Sequence, residues 1–163
     1  MKMFITGRPG CGKSTLINSI IMQLKEKRIS GILSLEIREG KKRVGFMIRD
    51  IKSGEKNILA SVDMDGPKIG KYGVNLSGLE RIVSRFLEGF GNSDVVLIDE
   101  IGKMEMLSEK FREAVDIVLN SNKDVVAVVG LGFVDYVRDK GEILVLTRSN
   151  FDSIREKILE RLK

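Results

Sequence analysis

Histidine is absent from this chain of 163 residues, and so is tryptophan. Without an imidazole there is no Ser-His-Asp hydrolysis, no histidine acid–base work and no histidine-bound zinc. A metal would have to rest on oxygen ligands, which points to Mg²⁺. Cysteine occurs once, as Cys11, so no disulfide can close within the chain, and a reducing, cytoplasmic setting is expected. No apolar run reaches the roughly 18 residues that argue for a membrane helix, so no membrane contact is expected. Charge of one sign is scarce as well: 28 basic and 23 acidic residues leave a net +5. That excess attracts polyanions mildly. The basic residues are dispersed, and the densest run, Lys41-Lys42-Arg43, reads as a hairpin tip, which argues against nucleic acid as a partner.

What is present is an alternation of apolar runs and amphipathic helices. The opening MKMFITGRPG turns to glycine and proline after a short apolar run and reads as a strand, Lys2 to Thr6, not as a cleaved leader. Leu16, Ile17, Ile20, Ile21 and Leu24 recur at helical spacing and predict a helix from Lys13 to about Lys27. Extended stretches follow at Gly31–Glu39, Arg43–Ile51 and Asn57–Val62, with turns between them. Ser77 with Glu80 has the spacing of a capping box and predicts the start of a helix bearing Leu79, Ile82, Val83, Phe86, Leu87 and Phe90. DVVLIDE, DVVAVVG and GEILVLT read as buried strands, and helices are expected around Phe111–Leu119 and from Asn150 to Lys163. This pattern predicts an α/β fold with a mainly parallel sheet and helices on both faces. The stretch from Gly31 to about Leu76 has strands without helices and predicts an antiparallel strand extension. With no repeat or linker, residues 1–163 are expected to form a single domain.

The run Gly7-Arg8-Pro9-Gly10-Cys11-Gly12-Lys13-Ser14-Thr15 fits G-x-x-x-x-G-K-[ST] at every position and lies between a strand and a helix. Glycines let successive backbone N–H groups converge on phosphate oxygens, and the helix N-terminus adds partial positive charge. Lys13 then reaches the β- and γ-phosphates, Ser14 offers its hydroxyl to Mg²⁺, and Thr15 supports the helix start. Cys11 reads as a small filler. The expected partner is a nucleoside triphosphate.

Asp99 and Glu100 close the apolar strand DVVLIDE, and ligands of open α/β sheets sit beyond the carboxyl ends of strands. Asp99 is expected to serve Mg²⁺. Strand alternation predicts that Glu100 points to the side opposite Asp99, where it could accept a proton from water. Lys103 is a candidate cation for the transition state, with Glu105 a candidate to orient it. Arg38, Arg43, Lys71 and Tyr72 are weaker candidates, the arginines for phosphate and the tyrosine for stacking on a base.

GRPGCGKST, EIREGKKRVGF, IGKYGVNL and VLIDEIGKME occur in this order along nearly the whole chain. Together they resemble the P-loop nucleoside-triphosphatase family of thermophilic bacteria and archaea, which includes a human cancer-related nucleoside-triphosphatase. The resemblance implies a RecA-like P-loop NTPase fold and slow, Mg²⁺-dependent hydrolysis of ATP, GTP, CTP and UTP to diphosphate and phosphate. It implies nucleotide binding by Gly7–Thr15, metal binding by Ser14 and Asp99, and Glu100 as base. One motif departs: Thr147-Arg148-Ser149-Asn150-Phe151-Asp152 has phenylalanine where the family commonly has arginine, so base preference is expected to shift. Two other readings stay open. One is a nucleoside or nucleotide kinase with Arg138 or Arg148 in a lid. The other is a nucleotide-gated binding module. The oligomeric state is not legible.

Overall fold

A computed structural model describes residues 1–163. Its nine strands are β1 Lys2–Thr6, β2 Ile29–Glu39, β3 Lys42–Asp50, β4 Lys56–Ser61, β5 Lys68–Ile69, β6 Tyr72–Val74, β7 Val95–Ile101, β8 Asp124–Val129 and β9 Glu142–Val145. The helices are α1 Lys13–Gln23, α2 Leu76–Phe90, α3 Glu109–Leu119, α4 Val134–Val137 and α5 Phe151–Leu162. The strands form one sheet in the order β5-β6-β4-β3-β2-β7-β8-β1-β9. From β2 to β9 every neighbouring pair is parallel; from β2 outward through β3, β4, β6 and β5 every pair is antiparallel.

Alternation along the parallel strands sorts the core into two layers. Met3 and Ile5 of β1, Leu97 of β7 and Val128 of β8 pack with Leu16, Ile17 and Ile20 of α1 and Ile154 and Ile158 of α5. Phe4, Ile98 and Ala127 face the other way, onto Leu79, Ile82 and Phe86 of α2, Phe111 and Val115 of α3, and Val137 of α4. Strands buried on both faces must read as continuous apolar runs, which is why VVLI and VVAVV carry no polar residue. No helix is long and apolar enough to cross a membrane.

The antiparallel extension begins where expected, with Ile32 of β2 paired to Asp50 of β3, while Ile29–Leu33 also pairs in parallel with Val95–Asp99 along the strand's other edge. Two expectations need correction. Helix α1 stops at Gln23, short of Lys27. Lys25, Glu26 and Lys27 are exposed and give a longer helix nothing to bury, and the chain turns there through Lys27 N–H donating to Leu24 O (3.0 Å) to reach β2. Ser77 is not the cap of α2. Asn75 accepts from the Gly78 N–H (3.2 Å), an equally good cap chemistry, and Glu80 accepts instead from Ser108 Oγ (3.0 Å), tying α2 to the start of α3.

Candidate active site

The turn from β1 into α1 is set by backbone geometry. Gly10 (φ 77°) and Gly12 (φ 100°) stand in the left-handed region, where a side chain would be strained. A β-carbon on Gly10 would meet nothing within 4 Å, so the glycine there is set by its backbone conformation and not by crowding. The first bond of α1 runs from Leu16 N–H to Gly12 O (2.9 Å). The amides of Lys13, Ser14 and Thr15 precede it and are therefore not used by the helix. Lys13 Nζ donates to Gly7 O (2.7 Å) and Arg8 O (3.2 Å), which holds the ammonium over the same loop. Arg8, Pro9 and Gly10 are exposed. Cys11 packs against the α1–α5 core layer, the filler role expected of it. Phe151 lies under the loop, its ring 3.7 Å from where a Gly12 β-carbon would stand.

β8 lies between β1 and β7, so the acid strand reaches the loop from one strand away. Asp99, 6% exposed, accepts from Ser14 Oγ through its Oδ2 at 2.7 Å. Burial pushes its carboxyl up to about 6, with the Ser14 hydrogen bond acting against that rise. Two hard oxygen donors thus meet at the N-terminus of α1, and no cluster of three or more His, Cys, Asp or Glu side chains forms a complete protein cage. That donor set suits Mg²⁺, which keeps several waters and shares itself with substrate phosphates.

Simple alternation does not govern Glu100. The register of β7 on β8 slips between Asp99 and Ile101, so Asp99 pairs with Val128, Ile101 with Val129, and Glu100 is the extra residue of a bulge. A bulge re-aims its side chain. The Asp99–Glu100 peptide is cis. The Glu100 side chain lies against Gly102, where a β-carbon would stand 3.1 Å from its Cγ and Cδ, and the charges of Lys13 and Asp99 act on its surroundings. Burial holds its carboxyl above the usual range, and Lys13 partly offsets this.

The remaining candidates separate. Lys103 is exposed on the turn after β7. Glu105 does not orient it: Glu105 is 3% exposed and accepts from Ser34 Oγ of β2 (3.0 Å). Arg43 donates to the Tyr72 hydroxyl (3.0 Å) and to Glu36 (3.1 Å), and Arg38 also bonds Glu36 (3.0 Å). The arginines are thus held by an internal partner. Tyr72 is buried edge-to-face on Phe46, with Arg43 and Lys71 near its ring, so it offers no free face to a base. Arg138 pairs with Asp135. The contact from Ser34 to Glu105 has no signal in the sequence, because a short 3-10 turn has no periodicity to reveal which side chains it buries.

A strand, a glycine-rich phosphate loop, a helix N-terminus and an aspartate from a neighbouring strand define a P-loop protein with a RecA-like α/β sheet. Comparison with known proteins agrees. A model of the NTPase family matches residues 2–159. The nucleoside-triphosphatase THEP1 of Thermotoga maritima is 43% identical over 170 residues, covering 100% of this chain and 96% of that protein. THEP1 of Methanocaldococcus jannaschii is 40% identical over 165 residues, covering 99% and 97%. The crystal structure of THEP1 from Aquifex aeolicus superposes with a TM-score of 0.84 at 36% identity, covering 100% of this chain and 99% of that one. The solution structure of a human cancer-related nucleoside triphosphatase gives 0.78 at 27% identity, covering 99% and 97%. The chain belongs to this nucleoside-triphosphatase family.

Proposed function

We propose that the protein hydrolyses nucleoside triphosphates, ATP, GTP, CTP and UTP among them, to nucleoside diphosphate and phosphate in a Mg²⁺-dependent reaction. The observation that carries this reading is the meeting of Ser14 and Asp99 at 2.7 Å, with the half-buried Glu100 next in the strand. The amides of the Gly7–Thr15 loop and the Lys13 ammonium hold the β- and γ-phosphates. Ser14 and Asp99 would hold Mg²⁺, which neutralises phosphate charge when bound. Glu100, carried on the bulge and raised by burial, accepts a proton from a water in line with the γ-phosphorus. Lys103, exposed on the turn after β7, would add positive charge near the γ-phosphate in the transition state.

Water is favoured over a second nucleotide as acceptor because the relatives that match along the whole chain are named nucleoside-triphosphatases. The arginines assigned to a lid are not assembled into one, with Arg138 paired to Asp135 on α4. The test is phosphate release from purified protein with Mg²⁺ and each of the four triphosphates, with and without nucleoside and nucleotide acceptors. Stoichiometric diphosphate and phosphate without an acceptor is expected. Phosphate transfer that requires an acceptor would replace this reading with the kinase one.

A further inference from the structure

Glu105 carries a carboxyl that the proposed reaction does not use. It begins the 3-10 turn Glu105–Leu107 that follows the acid strand. Three backbone bonds close this turn, Met106 N–H to Gly102 O (2.9 Å), Leu107 N–H to Met104 O (3.3 Å) and Ser108 N–H to Glu105 O (3.1 Å). One carboxyl oxygen, Oε2, is fixed from across the sheet by Ser34 Oγ (3.0 Å). The other, Oε1, faces Gly102. A β-carbon on Gly102 would stand 3.1 Å from Glu105 Oε1, and equally 3.1 Å from Glu100 Cγ and Cδ. The two side chains therefore share one small space that only a residue without a side chain leaves free. Burial and the nearby Glu100 charge push Glu105 up to about 8, so that near neutral pH an uncharged carboxyl lies beside Glu100 without like-charge repulsion.

We propose that Glu105 is a positioning residue: clamped to β2 by Ser34 and packed on Glu100 across Gly102, it keeps the Glu100 carboxylate aimed at the phosphate loop. A bulge alone leaves a side chain with several staggered choices. The Ser34–Glu105 clamp fills the far side of the space over Gly102 and removes those that would carry Glu100 further into it. This inference rests on the reading of Glu100 as the proton acceptor. It explains why a buried carboxyl persists at a place where an apolar side chain would be more stable.

The experiment is a double-mutant cycle on ATP hydrolysis with Mg²⁺, using Glu105→Ala, Glu105→Gln and Ser34→Ala, each alone and with Glu100→Gln. Glu105→Ala is expected to lower kcat by about 10- to 100-fold, the range for losing an outer partner of a site residue, with KM little changed. Ser34→Ala should move kcat the same way by less. Glu105→Gln, which keeps the shape of the uncharged carboxyl, should recover most of the loss. With Glu100 already replaced, none of the three should slow the residual rate further. Wild-type kcat in folded Glu105→Ala, an equal loss in the Glu100→Gln background, or a glutamine no better than alanine would each overturn the proposal. If Glu105→Ala does not fold, wild-type kcat in Ser34→Ala overturns it alone. Normal turnover by Glu100→Gln is a separate outcome: it removes the base assignment itself and the positioning role with it.

Discussion

The phosphate loop and the acid turn lie along the same sheet edge and are built by opposite means. Gly7 to Thr15 is largely exposed backbone, and it works through amide groups and one ammonium that water can also reach. Asp99 to Glu105 is largely buried, with Asp99 6% and Glu105 3% exposed, and all three carboxyls are raised by desolvation. Exposed backbone donors are cheap to maintain in a fold, whereas buried carboxyls weaken it. A chain that only had to hold a triphosphate could manage with the loop. On the proposed reading the acid turn reduces stability in return for fixed acceptors beside the γ-phosphate, which is how sites for turnover differ from sites for binding.

The widest separation of the two regions should come from Glu100→Gln. It is expected to lower kcat by about 10²- to 10⁴-fold, the usual worth of a positioned proton acceptor, while a non-hydrolysable triphosphate binds as before. Phosphate release together with equilibrium binding checks this, and a parallel loss of both would merge the regions into one. Lys13→Ala should act on the other side of the divide. A loss of about 10²- to 10³-fold in kcat/KM is expected, from a donor that touches the phosphates in both ground and transition states, and affinity should fall with it. Affinity unchanged in Lys13→Ala would place the nucleotide away from the loop.

The same contrast decides what could be read from the sequence. The loop was legible residue by residue, because each of its positions answers to a local rule: glycine where φ is positive, lysine and serine at the first turn of a helix. The strands and helices around it were legible because two-sided burial writes itself as apolar runs. The acid turn was legible only as far as Asp99. Glu100 lies on a bulge, which breaks the alternation from which its direction was inferred, and the partner of Glu105 is Ser34, 71 positions away. Likewise Tyr72 looked available for a base, but its burial depends on Phe46 and Arg43 from another strand. Long-range polar contacts leave no local period, so they appear only once the sheet order is known.

A pH titration of stability sharpens the contrast next. Glu105 sits at about 8 in the folded protein against 4.5 for an unperturbed glutamate. Between those values the unfolded chain has released its proton and the folded protein still holds one. Stability therefore falls as pH rises from about 4.5 to about 8 and levels off above. Glu105→Gln has no such proton, so its stability relative to wild type should grow by something on the order of 3 kcal/mol from pH 5 to pH 8. Asp99 titrates in both proteins with the same sign and cancels in the difference. Urea unfolding of the two proteins at each pH measures it, and a difference independent of pH would mean that the turn is solvated after all.

Lys103 tests where the acid turn ends. It is exposed and makes no ion pair, so Lys103→Ala should change stability by no more than about 0.5 kcal/mol. As a single solvent-screened cation it is expected to lower kcat by about tenfold or less. Adding salt should shrink that difference, because an exposed charge acts through a screened field whereas Glu100 does not. A loss of a thousandfold that salt leaves intact would show that Lys103 enters a dry site alongside the γ-phosphate. The turn would then contribute a cation as well as its acids, and positive charge would no longer belong to the phosphate loop alone.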